Sequence, residues 1–241
     1  MKNLPLALFA IALTSLVASS TFASSPVTPT PRNVEYSWMT IADWYRAHAD
    51  DVEVAAKGEA QLLFVGDSIT QGYQWAPSWE REIAKYNPAN FGIGGDKTEN
   101  LLWRIQNGST GKLDPKLVVM LIGVNNFGHN NDSPQAVFSG VKANLAQLQT
   151  SFPKAKILIL GVFPYDENAD SPNRARVTLV NEMIATLAED GVQVLDIGNT
   201  FLQEDGSISK DVMGDFLHPS ADGYELMTEA ILPKIQETMD Q

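Results

Sequence analysis

Four short apolar runs, separated by longer stretches of helical periodicity, constrain this chain more than any other feature. They are Leu62 to Val65, Leu117 to Ile122, Ile157 to Leu160 and Val192 to Ile197. Each is continuous rather than alternating, which is the pattern of a strand covered on both faces of a parallel sheet. A weaker run, Ala89 to Ile93, supplies a fifth strand. Between the runs, apolar side chains recur at spacings of three and four. Ile41, Trp44, His48, Val52 and Ala55 form one such stripe, with Gly58 as its stop. Val137, Val141, Leu145, Leu148 and Phe152 form another after Ser133-Pro134, followed by Val177, Val180, Ile184 and Leu187, then Tyr224, Met227, Ile231 and Ile235. These are amphipathic helices. Five β-α units in series predict an α/β fold, a three-layer α/β/α sandwich around a five-stranded, mostly parallel, doubly wound sheet.

The chain's 241 residues suffice for one such domain. Lys2, the apolar run Leu4 to Val17 and the small residues ending at Thr21-Phe22-Ala23 have the order of a secretory signal peptide. Residues 1–23 are therefore expected to be a cleaved leader, cut near Ala23, and the mature protein secreted or periplasmic. The apolar run is too short to span a bilayer, so no stable membrane anchor is expected. Residues 24–34, with several prolines and hydroxyl side chains, read as an extended linker, and residues 35–241 as the domain. The absence of cysteine excludes disulfides and thiolate metal sites. A formal net charge of −12 repels phosphate backbones, so no nucleic-acid partner is expected.

In open parallel sheets, ligands sit beyond the carboxyl ends of the strands. The first three runs end there in Gly66-Asp67-Ser68, Gly92-Ile93-Gly94-Gly95-Asp96 and Gly123-Val124-Asn125-Asn126. Three polar, glycine-containing ends on one rim make Ser68 a candidate nucleophile rather than only a turn residue. A serine nucleophile needs a base, usually histidine, and the chain has three histidines. His48 lies on a helical apolar stripe and reads as a packing residue. His129 sits in a polar loop and reads as solvated. His218 follows Asp215 by three residues, a spacing that lets a carboxylate orient the ring. The same spacing also fits a capping Asp and a loop His, with Pro219 opening a helix.

Gly66-Asp67-Ser68-Ile69-Thr70 is not G-x-S-x-G, so the nucleophile elbow of α/β-hydrolases is absent. The chain instead resembles the SGNH or GDSL hydrolases. Four blocks carry the resemblance, in the family's order: Gly66-Asp67-Ser68-Ile69, Asn90-Phe91-Gly92-Ile93-Gly94-Gly95-Asp96, Gly123-Val124-Asn125, and Asp215 to His218. The glycine block and Leu102-Trp103-Arg104 look most like the branch containing platelet-activating-factor acetylhydrolase catalytic subunits and secreted bacterial esterases. Lys97 departs from that branch, which commonly has Thr there. The resemblance implies a flavodoxin-like SGNH fold, Ser68 as nucleophile, His218 as general base and acid, and Asp215 as the orienting carboxylate. It implies an oxyanion hole of the Ser68 and Gly95 backbone N–H groups and the Asn125 side chain, and both monomers and dimers occur in it. Asp96 and Glu99 form a D-x-x-E pattern resembling a capping box, so a helix should start beside Gly95. Asp67 reads as a scaffold residue.

The implied activity is serine-esterase hydrolysis of short, acetyl-type esters, with an O-acetylated carbohydrate as the expected substrate. A phospholipid acetylhydrolase, a lysophospholipase and a broad arylesterase are the alternatives. No metal or organic cofactor is implied. His218 must be neutral to take a proton, so activity should rise with pH as that proton is lost. Tyr73, Trp75 and Asp96 are candidate substrate contacts, with packing as the competing role for Tyr73, Trp75 and Trp79. A glycan-binding module with no activity is the rival from outside enzymology. The glycine stretch fails G-x-G-x-x-G, and no H-x-x-x-H zinc motif is present.

Overall fold

The structure is a computed structural model that describes residues 25–241. The expected leader, residues 1–23, lies outside the described residues. Five strands form one parallel sheet: β1 Leu62–Gly66, β2 Pro88–Gly92, β3 Leu117–Leu121, β4 Lys156–Leu160 and β5 Val192–Leu195. Their order is β2-β1-β3-β4-β5, the doubly wound arrangement with its switch point between β1 and β3. β1 and β3 are buried along their whole length, as continuous apolar runs require.

Among the described residues, six α-helices flank the sheet: α1 Ile41–Lys57, α2 Ser68–Tyr73, α3 Thr98–Gln106, α4 Pro134–Ser151, α5 Pro172–Ala185 and α6 Ala221–Met239. Right-handed crossovers put α3, α4 and α5 on one face. There the Asn144 side chain of α4 donates to Thr98 O of α3, and Trp44 of α1 packs on Trp103 of α3. α2 and α6 share the opposite face. Tyr73 and Thr228 join their hydroxyls at 2.7 Å, and the Tyr224 hydroxyl donates to Ile69 O at 2.8 Å. The helices begin where their caps dictate. Thr40 and Asp43 form a capping box on α1, Ser133 caps α4 with Pro134 in the first turn, and Ser220 caps α6. Pro219 therefore precedes the cap of α6 rather than opening the helix.

Two expectations are corrected. The segment expected to be a linker is, from Ser25 onward, no free tether. Thr30 N–H donates to Glu99 O at 3.1 Å, Thr98 Oγ1 donates to Pro26 O at 3.0 Å, and Asn100 Nδ2 donates to Thr30 O at 3.0 Å. The buried Arg32 then pairs with Asp96 at 3.0 Å. These bonds strap the segment across α3. The D-x-x-E capping box is also displaced by one residue. Lys97 occupies the N-cap position of α3, where its N–H donates to Asn100 Oδ1 at 3.0 Å. The Asp96 side chain turns inward instead.

Candidate active site

Ser68 is the first residue of α2, immediately after β1. The turn between them is tight because Gly66 has no side chain. A Cβ there would lie 2.2 Å from Thr70 Oγ1 and 2.3 Å from Leu121 O. Asp67 caps α2 by accepting from Ile69 N–H at 3.0 Å. The Ser68 N–H lies in the first turn of α2, where backbone donors lack intrahelical acceptors.

The other half of the site comes from the loop before α6. Asp215 Oδ1 accepts from the backbone N–H groups of His218, at 2.8 Å, and Leu217, at 3.1 Å. Asp215 Oδ2 lies 2.7 Å from His218 Nδ1. One carboxylate thus fixes both the backbone and the ring of His218. The turn passes through Phe216 with a φ of 60°, so the three-residue spacing is met in a loop rather than a helix. Partial burial pushes the Asp215 carboxyl up, but hydrogen bonds from the His218 ring and backbone outweigh it and hold the group below its ordinary value. His218 Nε2 lies 2.8 Å from Ser68 Oγ. The chain carboxylate, imidazole, hydroxyl is continuous across 150 residues of sequence.

Gly95 and Asn125 face the same place. Gly95 has a φ of +73°, a conformation that favours glycine. The N–H groups on either side of it are committed, Gly94 to Gln71 Oε1 at 2.9 Å and Asp96 to Ile93 O at 3.1 Å. Asn125 is oriented by a 3.0 Å bond from its Nδ2 to Asp96 O. Ser68, Gly95, Asn125 and His218 line one cavity of about 500 Å³, walled further by Trp38, Met39, Gln71 and Leu217.

The expected substrate contacts fare differently. Tyr73 is fully buried and belongs to the core between α2 and α6, stacked on Tyr224. Trp79 is buried beside it. Trp75 is exposed but does not line the cavity. Asp96 is wholly buried, accepts from Arg32, Arg104 and Trp44, and does not line the cavity, so it braces the loop. His129, expected to be solvated, lines the cavity and packs on Tyr36. Burial, then the charges of Lys97 and Arg32, push its imidazole below the ordinary value, which favours the neutral ring. His48 is a buried packing residue with its Nε2 3.0 Å from Asn107 O.

Trp38, Met39, Gln71 and Leu217 were not singled out from the sequence. Gln71 lies three residues after Ser68, on the same helix face, and Leu217 precedes His218, so both were within reach of a spacing argument. Nothing in the sequence around Trp38 places it here.

Residues 64–226, spanning Ser68 and the Asp215 to His218 turn, match the model of the GDSL-like lipase/acylhydrolase family. The chain belongs to that family. It is a GDSL-type carboxylic ester hydrolase, with its first three GDSL blocks at the ends of β1, β2 and β3 and the fourth in the loop before α6. It is 35% identical over 204 residues to platelet-activating factor acetylhydrolase IB subunit alpha2 of Rattus norvegicus, covering 82% of this chain and 87% of the relative. A GDSL-like lipase structure from Bacteroides thetaiotaomicron superposes with a TM-score of 0.65 at 20% identity, covering 81% of this chain and 98% of the other. An acetyl-xylooligosaccharide esterase from Geobacillus Stearmophilus superposes with a TM-score of 0.59 at 18% identity, covering 74% and 96%. At these identities, the structural likenesses show a shared fold. Among the described residues, no helix is long and apolar enough to cross a membrane.

Proposed function

We propose that this GDSL hydrolase cleaves short-acyl esters, acetate above all, through a Ser68 acyl-enzyme, and that its natural alcohol is a carbohydrate. The observation that carries the reading is the unbroken chain from Asp215 through His218 to Ser68, at 2.7 and 2.8 Å. His218 Nε2 takes the Ser68 proton as Oγ attacks the ester carbonyl, and Asp215 stabilises the imidazolium that forms. The carbonyl oxygen becomes an oxyanion held by the Ser68 and Gly95 N–H groups and Asn125 Nδ2. His218 then protonates the leaving alcohol. Water, deprotonated by the same ring, releases the acid and restores Ser68. Each proton lost is regained within the cycle, so the reaction as written needs no metal or cofactor.

Short acyl groups are supported by the brevity of the connections, since only Asp67 separates β1 from Ser68 and Asn125 stands just beyond β3. The carbohydrate reading is supported by an exposed aromatic ring at the cavity, Trp38. A second reading, an acetylated phospholipid, draws on the name of the rat relative. Initial rates on p-nitrophenyl esters from acetyl to long acyl, with Ser68→Ala alongside, test the proposal. Acetate should be fastest and the variant inactive. A long-chain ester cleaved faster would overturn the acyl assignment, and a Ser68→Ala protein that keeps its rate would overturn the nucleophile.

A further inference from the structure

Trp38 is 57% exposed, yet it is held in place from several sides. Its ring stacks on Tyr36 with centroids 4.9 Å apart and planes 3° from parallel. Tyr36 and Met39 exchange backbone hydrogen bonds at 3.1 and 3.2 Å, closing the tight turn that carries Trp38. Arg32, anchored on Asp96 and on Gly94 O at 2.7 Å, sits over the other ring of the pair, 5.2 Å from the Tyr36 centroid. The far edge of Trp38 rests on the glycines of the site. A Cβ on Gly94 would lie 3.2 Å from Trp38 Cζ3, and one on Gly95 would lie 2.7 Å from Cη2. Tyr36 also packs on His129, with centroids 4.8 Å apart and planes tilted by 33°. Tyr36 therefore joins Trp38 to His129 through ring contacts, and both of those rings line the cavity.

Exposing a tryptophan costs folding free energy, and ordering one costs side-chain entropy. A ring both exposed and ordered beside a nucleophile has the form of a binding platform, with an apolar face for a ring and a neutral imidazole nearby for hydroxyls. We infer that Trp38, delivered by the strap of residues 25–39, is the specificity residue for the alcohol half of the ester and selects ring-shaped, polyhydroxylated alcohols over flexible ones. The inference rests on Ser68 being the nucleophile, and it assigns the substrate preference to a segment outside the four GDSL blocks.

The test compares two acetates with the same acyl group, an acetylated xylose oligomer and glycerol triacetate, on the wild type, Trp38→Ala, Trp38→Phe and Ser68→Ala. The ratio of kcat/KM, sugar ester over glycerol ester, should fall about tenfold in Trp38→Ala, the size of one lost stacking contact. The fall should reside in KM, and Trp38→Phe should restore most of the ratio. Equal losses on both esters would show that Trp38 only props the glycine loop, and would overturn the inference, as would an unchanged ratio. Ser68-dependent cleavage of glycerol triacetate with no cleavage of the sugar ester by the wild type would overturn it while leaving the esterase reading intact. No Ser68-dependent cleavage of either ester would overturn both.

Discussion

Arg104 Nε meets Asp96 Oδ2 at 2.7 Å in a fully buried ion pair directly behind the loop that carries Gly95. The same guanidinium donates to Gly66 O at 3.0 Å and pairs with Asp51 at 3.1 Å. Asp96 in turn accepts from Arg32 of the strap and from Trp44 Nε1 of α1, the latter at 2.6 Å. One carboxylate therefore ties together the strap, α1, α3 and, through Arg104, the end of β1. Its own carbonyl orients Asn125.

Asp96→Asn keeps the volume and removes the charge, leaving two buried guanidinium groups short of a partner. Breaking a buried pair this way typically costs about 3–5 kcal/mol. Urea denaturation should show a loss of that order, and activity should fall with it as the Gly95 loop loosens. Arg81→Ala is the control. Its pairs with Glu82 and Glu225 lie on the surface, and the midpoint should not move measurably. Equal midpoints for Asp96→Asn and wild type would show that the cluster does not hold the loop.

Asn125→Ala removes the side-chain donor of the oxyanion site and one bond to Asp96 O. Losing one such donor costs about 10²–10³ in kcat. Steady-state kinetics on an acetate ester should show that drop in kcat with KM changed little, because the donor acts on charge that develops only in the transition state. A change confined to KM would place Asn125 in substrate binding instead.

Asp215→Asn retains an oxygen for the N–H groups of Leu217 and His218 but turns an amide toward His218 Nδ1. The ring then has to accept at Nδ1 and carry its proton on Nε2, facing Ser68, where it cannot act as base. A loss of about 10⁴ in kcat at neutral pH is expected, with stability nearly preserved. A loss below tenfold would remove Asp215 from the catalytic chain.

Much of this was legible in the sequence because it is local. A strand buried on both faces must be apolar throughout, so Leu62 to Val65 and Leu117 to Ile122 announce themselves, and a parallel sheet gathers the residues just beyond its strands on one rim. Ser68 and Asn125 stand on that rim, whereas His218 was legible through its three-residue spacing from Asp215. The strap was not, because Arg32 is buried only by virtue of Asp96, 64 residues away, and no periodicity encodes such a contact. Tyr73 and Trp38 show the same limit in opposite directions. Tyr73 comes soon after the nucleophile in sequence, yet helical geometry turns it into the α6 interface. Trp38 precedes α1, yet its turn carries it over Gly95.

Asp67, beside the nucleophile, has a carboxyl group that is only half satisfied. Its Oδ1 accepts from Ile69 N–H, while its Oδ2 is buried with no hydrogen-bond partner. Burial pushes the carboxyl up to about 7, against the pull of the Ile69 N–H and with a further push from Asp96. In the unfolded chain the group titrates near its ordinary value of 3.8. Between these values the folded protein holds a proton that the unfolded chain has released. Stability from this group is therefore fully present below about pH 4 and is lost as pH rises toward about 7. Asp67→Asn cannot titrate. From pH 5 to 8 the stability difference between variant and wild type should shift in the variant's favour by about 3 kcal/mol, two pH units at about 1.4 kcal/mol each. Asp51, pushed up to about 7 by burial, is present in both proteins and cancels. Urea denaturation at pH 5, 6, 7 and 8 provides the comparison. A difference that stays constant across that range would mean that Asp67 is ionised throughout and that its buried oxygen is solvated in the folded protein.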